Sequence, residues 1–338
     1  SPVRFVMTVE DTLHAGAPAL LSPDGQWLAT VNEDGVLLWP RNSKEPLSLE
    51  AEETEKPFQS RQVSFHPEGG FLASTRRPKD LPHRVAAGRE KITLWSVPGG
   101  ERIKTWDSLE VGYYYPFPRH NSPRLYIAME TGGLSMPTRW LRYDLASDSP
   151  TSLGSWGYPS MVSRMGVSAV DPGGRFLIGA WDRNIYLSYL DSLDMEVPLL
   201  VGHHEKEITQ VVINDRADLV ASSDRSGRIK VWSRVQDDQF RLISTQPTVP
   251  QQIWAGGFDP TNTWVIFKTR GGGRMAMVSL LHPGSLPMML LPSCSWPGQA
   301  SFTPEGDWVV FPWTDERFGG GHSIFFYSLA KTRPTVFK

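Results

Sequence analysis

The sequence predicts an all-β fold in which seven four-stranded units close into a ring. Three observations predict it. One turn skeleton recurs along the chain: an apolar residue, Pro, an acid, Gly, then an apolar run. It reads LLSPDGQWLAT over 20–30, VSFHPEGGFLAS over 63–74 and SFTPEGDWVVF over 301–311. Each turn is followed by two short apolar strands, the second often carrying a Trp or Tyr. The 13 Trp, 30 Gly and 28 Pro are also the mixture expected of many short strands joined by tight turns.

The turn recurs at Pro23, Pro67, the Arg119–Pro123 region, Pro172, Asp215, Pro260 and Pro304, with steps of 44 residues from Pro23 to Pro67 and from Pro260 to Pro304. Periods of this size mark repeated supersecondary units. The Gly of each Asp-Gly or Glu-Gly tolerates positive φ. After the turns come WLATV, FLAST, RLYIA, RFLIGA, LVASS, WVIFK and WVVFP, and then GVLLWP, KITLWSV, RWLRYDL, NIYLSYL, RIKVWS, RMAMVSL and SIFFYSL. Trp39, Trp95 and Trp232 fall at one place in this second set. Tyr143, Tyr189 and Tyr327 are read as replacing Trp there, and Val278 takes the place in the sixth unit. A strand before the turn (RQVSF, ITQVVI) and one after the Trp strand (EPLSLE, MEVPLL) bring each unit to four. Such a unit has two faces and cannot bury both alone, whereas a ring of them can.

Bulk properties narrow the function. The 338 residues are 40% hydrophobic and 21% charged, the balance of a chain that folds. With 34 basic and 36 acidic side chains the net charge is −2, which argues against a protein that coats nucleic acid. A single cysteine, Cys294, permits no intrachain disulfide. No apolar run approaches membrane-spanning length, and the N-terminus has no signal-peptide layout. The expectation is an intracellular, cytoplasmic, monomeric domain spanning 1–338. Because it opens on Ser1, it is read as a processed product or as a module of a longer parent.

The repeats resemble the WD40-repeat family over nearly the whole chain. The resemblance implies a seven-bladed β-propeller of four-stranded antiparallel blades. The Asp that follows Trp in the family is mostly lost: Pro40, Ser96 and Ser233 follow the three Trp, and Tyr143-Asp144 is the nearest surviving pair. The family's Gly-His dipeptide is plain only at Gly202-His203. There the resemblance implies a structural hydrogen-bond network of His203, Ser222, a turn Asp and Trp232. The turn-Asp position falls on Ser226, with Asp224 two residues too early, so this network is expected to be partial. An open ring leaves raw strand edges, and the alternating VRFVMTV over 3–9 has no partner in the first unit. It is expected to supply the outer strand of the seventh blade.

Reactive constellations are sparse. Cys294 has no His nearby in sequence. The eight His lack zinc-site spacing, and the adjacent His203 and His204 are a poor pair for one cation. RGGGR (270–274) lacks the Lys-Ser/Thr ending and the helix of a phosphate loop, and FGGGH (318–322) is read likewise as a strand-to-strand turn. No pair of carboxylates stands out as acid and base. No catalytic residue, metal or cofactor is assigned.

Binding is the remaining expectation. By the propeller geometry that the resemblance implies, loops joining second to third strands share one end of the ring with the blade-to-blade connections. Long second-to-third loops at 76–89, 131–139 and 314–321 belong to blades two, three and seven, and blades seven, one, two and three are consecutive around the ring. Loop insertions on a rigid scaffold often carry binding. The acidic run EAEETEK (50–56) and the basic run RRPKDLPHRVAAGREK (76–91) lie at this end. So do the entrance aromatics Phe58, Tyr113, Tyr114, Trp156, Tyr158, Trp254 and Trp296, residue types that anchor interfaces. The function expected is a non-enzymatic scaffold or sensor that binds a protein or peptide with these aromatics and Arg76, Arg77 and Arg84. Two alternatives stand beside it. One is a small-molecule or enzymatic site in the central channel. The other is a nucleic-acid or ribosome contact through Arg76, Arg77, Lys79, Arg84, Arg89 and Lys91.

Overall fold

The structure is a computed structural model. It describes residues 4–8, 19–31, 35–41, 45–49, 58–66, 69–78, 91–107, 117–118, 124–130, 138–144, 151–156, 168–170, 175–190, 198–214, 216–235, 239–246, 253–269, 275–282, 288–289, 301–314 and 322–328. These form seven four-stranded antiparallel sheets.

Strand β1 (Arg4–Thr8) opens the chain. Sheet one then holds β2 (Ala19–Leu21), β3 (Trp27–Val31), β4 (Val36–Pro40) and β5 (Leu47–Leu49). Sheet two holds β6 (Phe58–Phe65), β7 (Phe71–Pro78), β8 (Lys91–Ser96) and β9 (Arg102–Asp107). Sheet three holds β10 (Phe117–Pro118), β11 (Arg124–Glu130), β12 (Thr138–Asp144) and β13 (Thr151–Trp156). Sheet four holds β14 (Ser168–Val170), β15 (Phe176–Trp181), β16 (Asn184–Tyr189) and β17 (Leu199–His203). Sheet five holds β18 (Ile208–Ile213), β19 (Leu219–Asp224), β20 (Ile229–Arg234) and β21 (Phe240–Gln246). Sheet six holds β22 (Ile253–Phe258), β23 (Trp264–Thr269), β24 (Met275–Ser279) and β25 (Met288–Met289). Sheet seven holds β26 (Ser301–Phe302), β27 (Trp308–Thr314) and β28 (His322–Ser328), with β1 as its fourth strand. Among the described residues no helix is long and apolar enough to cross a membrane.

First strands pack on first strands of neighbouring sheets, β2 on β6, β6 on β10, β14 on β18 and β18 on β22, so they form the inside of the ring. The ring closes. β2 packs against β26 and β27 of sheet seven, and a Cβ on Gly25 would lie 2.9 Å from Pro304 Cδ. The leading strand fastens this closure as expected. Arg4 pairs with Tyr327 and Thr8 with Ser323, with no slip between.

The recurring turn has a common plan. Six residues separate the paired residues of first and second strands in every sheet: Leu21 and Leu28, Phe65 and Leu72, Pro118 and Leu125, Val170 and Leu177, Ile213 and Val220, Phe258 and Val265, and Phe302 and Val309. A side-chain oxygen at the start of the turn accepts the backbone N–H of the next strand: Ser22 from Trp27 at 2.9 Å, Asn214 from Leu219 at 2.9 Å, Asp259 from Trp264 at 2.5 Å and Thr303 from Trp308 at 3.2 Å. The left-handed residue is Gly25, Gly69 or Gly306 in three sheets. Ala217 and Asn262 hold it in sheets five and six.

The residues opposite the second strand also align. Leu28 pairs with Trp39, Leu72 with Trp95, Leu125 with Tyr143, Val220 with Trp232, Val265 with Val278 and Val309 with Tyr327. Sheet four departs from the sequence reading. Leu177 pairs with Ser188, so Ser188 holds the Trp position and Tyr189 sits one residue on, opposite Phe176. The shared ending of NIYLSYL and SIFFYSL aligned the Tyr residues, but the six-residue turn sets the register.

Side chains two apart along a strand share a face. Leu72 and Trp95 therefore join the core between sheets one and two with Ala29, Val31 and Leu38. Val220 and Trp232 join that between sheets four and five, and Val265, Phe267 and Val278 that between sheets five and six. The outer strands carry a device not read from the sequence. Bulges insert Ile103, Leu153, Val201 and Ile243 in β9, β13, β17 and β21. A bulge disrupts the regular ladder and blunts an exposed edge against stray pairing.

If β1 closes the ring, deleting residues 1–10 strips sheet seven of its outer strand. The truncated chain is expected to melt about 5 °C or more below the parent. An unchanged melting curve would remove β1 as the fastener.

Candidate docking surface

The sequence-predicted binding residues separate on the structure. Arg84, Tyr113, Tyr114, Tyr158 and Trp296 lie outside the described residues, as do Lys79 and Arg89. Phe58 opens β6 opposite Pro78, and Arg77 pairs with Gln59. Trp156 ends β13 opposite Thr138. Trp254 is the extra residue of a bulge in β22, between Ile253 and Ala255.

Arg76 is a correction. The second strand of sheet two runs on to Pro78, so Arg76 lies in a strand rather than a loop. Leu72, Ser74 and Arg76 alternate onto the face turned to sheet one. Arg76 is 5% exposed, and its Nη2 lies 3.1 Å from where a Cβ on Gly35 would be. Its guanidinium is buried in the seam between sheets one and two and is not displayed to a partner.

A second correction concerns the polar network of sheet five. The His is His204 and not His203, the acid is Asp224 and not a residue at the Ser226 position, and the network is complete. His203 is the last residue of β17 and is exposed. The chain then leaves the sheet, the His204 N–H donates to the Arg183 carbonyl at 2.7 Å, and the His204 ring turns into the core. Val220, Ser222 and Asp224 alternate onto one face of β19, the face that carries Trp232 opposite. Trp232 Nε1–H donates to Ser222 Oγ at 3.0 Å. Ser222 Oγ lies 2.8 Å from His204 Nε2, and His204 Nδ1 lies 3.1 Å from Asp224 Oδ2. Asp224 Oδ1 accepts the Ser226 hydroxyl at 2.6 Å and the amides of Ser226 and Arg228 at 2.9 and 3.1 Å. Gly202 belongs to the same device: a Cβ there would lie 2.3 Å from the Trp232 ring.

Protonation follows from this geometry. Burial pushes His204 below its ordinary value, against the opposing pull of Asp224, and the charges of Lys230 and Arg228 push the same way as burial. The ring is neutral at pH 7, with a proton on Nδ1 for Asp224 and a lone pair on Nε2 for the Ser222 hydroxyl. Burial pushes the Asp224 carboxyl up, but the hydrogen bonds from His204, Ser226 and the Arg228 amide outweigh it and hold it at about 2. Each link donates in one direction, from indole to hydroxyl to imidazole to carboxylate.

The same logic explains which sheets carry Trp. Two residues beyond its cross-strand partner stand Thr30 for Trp39, Ser74 for Trp95 and Ser222 for Trp232. The hydroxyls of Thr30 and Ser74 accept the indole N–H, each at 2.9 Å. Where the Trp position holds Tyr143, Ser188, Val278 or Tyr327, the corresponding residue is Ile127, Gly179, Phe267 or Phe311. A buried indole N–H needs an acceptor, and a hydroxyl stands where there is an indole.

The network anchors a surface. The segment from His203 to Glu207, which joins sheet four to sheet five, is stitched to the second-to-third-strand turns on both sides. Ile208 N–H donates to the Asp182 carbonyl at 2.6 Å and Arg225 N–H to the Glu207 carbonyl at 2.8 Å. Arg225 pairs with Glu207 at 2.8 Å and Arg228 with Glu205 at 2.6 Å. The turn of sheet four is only two residues long, with Asp182 in the left-handed region at φ 52°. Beside it, Trp181 is 36% exposed. Trp181 pairs with Asn184, and Asn184 with His203, so the three form a row on one face at the end of the sheet. The sequence reading missed Trp181, His204 and Asp224. The period of two along β15 and β19 places Trp181 and Asp224 at matching positions, four residues past Leu177 and Val220.

Two outcomes are expected. Ser222→Ala strands the Trp232 N–H and His204 Nε2, and is expected to cost about 2–4 kcal/mol in chemical unfolding. In a Trp232→Phe background the loss shrinks, and additive losses would break the link. Stability also falls on acidification. His204 takes up its proton more readily unfolded than folded, so its contribution is present above about pH 6.5 and is lost as the pH falls. That of Asp224 is present above about pH 4 and is lost towards pH 2. Melting curves of the parent against His204→Gln between pH 7.5 and 5 check the first part. An equal pH slope in both would contradict it.

Residues 196–233 match the family model described as WD domain, G-beta repeat. That span contains all four members of the network. No curated protein sequence gives a significant match. Two solved structures resemble the chain throughout. One is from the crystal structure of the mitotic checkpoint complex, with TM-score 0.67, 14% identity and 97% and 94% of the two chains covered. The other is the Myceliophteria thermophila Cps50 (Swd1) β-propeller domain, with TM-score 0.70, 14% identity and 96% and 99% covered. The chain has the β-propeller fold, and its residues 196–233, which match the WD-domain model, carry the full polar network.

Proposed function

We propose that this chain is a non-enzymatic protein-docking module. Its partner binds at the end of the ring that carries the sheet-to-sheet connections and the turns between second and third strands. The carrying observation is the surface over sheets four and five. Two turns and a connection are locked together by backbone hydrogen bonds and ion pairs, while Trp181 and several charged side chains stay accessible. A surface ordered before binding loses little conformational freedom on association, and aromatic and Arg side chains supply much of the energy of protein interfaces. The connections at 79–90, 131–137 and 315–321 lie outside the described residues. One structural neighbour is itself, by its title, part of a multiprotein complex, which supports a scaffold reading for a chain of the same fold.

The test is affinity capture of the full-length protein from its native cells with quantitative mass spectrometry. A protein recovered in near-stoichiometric amount is expected, with recovery reduced by joint substitution of Arg84, Tyr113 and Tyr114 by Ala. Recovery of no protein above background would overturn the docking reading. Undiminished recovery with the triple variant would move the contact away from those loops.

A further inference from the structure

We propose that the corner over sheets four and five takes an acidic, extended protein segment that seats one apolar side chain against Trp181. This inference rests on the docking reading above and names the partner's chemistry.

Charge carries the first half. Arg183, Lys206, Arg225, Arg228 and Lys230 stand with four carboxylates, Asp182, Glu205, Glu207 and Asp224, a local balance of +1 in a chain whose total is −2. Glu205 and Glu207 are held by Arg228 and Arg225. Asp182 lies 3.7 Å from Arg183, and both are 60% exposed, a contact that water and salt weaken. Lys206 is exposed. The fourth acid nearby, Asp224, is buried, with both oxygens engaged by His204, Ser226 and Arg228. The carboxylates of the corner are therefore each engaged by this chain's own groups, and the surplus is cationic.

Trp181 carries the second half. It is an exposed aromatic at this end of sheet four, and its row with Asn184 and His203 crosses three strands on the face turned away from sheet five, opposite the one on which Ile178 and Ala180 meet Val220 and Trp232. The position four residues past the cross-strand partner is buried in sheet two as Arg76 and in sheet five as Asp224, whereas in sheet four it is an indole 36% exposed. The cations run from the turn of sheet four across the connection to the turn of sheet five. A partner must be extended to meet both them and Trp181. The carboxylates interspersed among the cations would repel a phosphate backbone, which calls for a denser basic surface.

The probe is a library of random ten-residue peptides displayed against the whole chain. Selected peptides are expected to carry a net negative charge and at least one bulky apolar residue. A fluorescein-labelled member should lose tenfold or more in affinity with Trp181→Ala and with the pair Arg183→Glu and Lys206→Glu. It should bind Trp181→Phe nearly as the parent, and it should weaken steadily as salt rises. Melting curves of each variant separate lost contact from lost fold. Selected peptides with no acidic excess would overturn the inference, as would acidic peptides indifferent to these variants, or no selected peptide at all. A partner recovered by affinity capture yet untouched by the same variants would leave the docking reading standing and remove this corner from it.

Discussion

A buried indole N–H without an acceptor is costly, and three Trp of this ring are placed to avoid that cost, whereas Trp264 Nε1 is buried without a partner among the described residues. Leaving one unpaired costs on the order of 1–3 kcal/mol. Thr30, Ser74 and Ser222 supply the acceptor one strand away and two residues along. In sheet five the demand propagates. The Ser222 hydroxyl that accepts from Trp232 must itself donate, His204 accepts, and the imidazole passes a proton outwards to Asp224. The last member of this chain of donations stands at the mouth of a hairpin turn. Trp232 is thereby tied to the turn at Ser226 and to the connection arriving from sheet four. Sheets without Trp at this position have no such hydroxyl: the residue there is Ile127, Gly179, Phe267 or Phe311.

That connection is how packing reaches function. The outer strand of sheet four must leave its sheet, cross a seam and enter the innermost strand of sheet five. His204 is the residue that turns inward as the chain does so. With it fixed, the connection bonds to the turns at Asp182 and Arg225, and the charged side chains between them are displayed from an ordered frame. Sheet two solves its seam differently. Arg76 occupies the place of Asp224 and lies against Gly35 of sheet one. The same strand position thus serves as an acid in one seam, a guanidinium in another and an exposed indole in sheet four.

Most of the fold was legible in the sequence, because a Pro-acid-Gly turn with a fixed six-residue span leaves a mark that survives changes of side chain. The fastening role of residues 3–9 was legible for a similar reason: an alternating apolar strand without a local partner must be paired elsewhere. Tyr189 was misplaced because side-chain likeness at a strand end is a weaker guide than the span of the turn. His203 was preferred to His204 because the dipeptide was matched as letters, whereas the ring that enters the core belongs to the residue that leaves the strand. Asp224 and Arg76 were recoverable from alternation alone, since each shares parity with a core residue four positions earlier. The bulges of the outer strands left no signal, because the inserted Ile103, Leu153, Val201 and Ile243 read as ordinary strand residues. Trp181 carries no such mark in the sequence, because it lies beside a two-residue turn and not beside an insertion.

The central claim is that His204 is a neutral link in a one-way chain of donors. Long-range proton–nitrogen correlation of the His204 ring at pH 7 tests it most directly. The account predicts a neutral imidazole with its proton on Nδ1 and a bare Nε2. A doubly protonated ring, or a proton on Nε2, would contradict it.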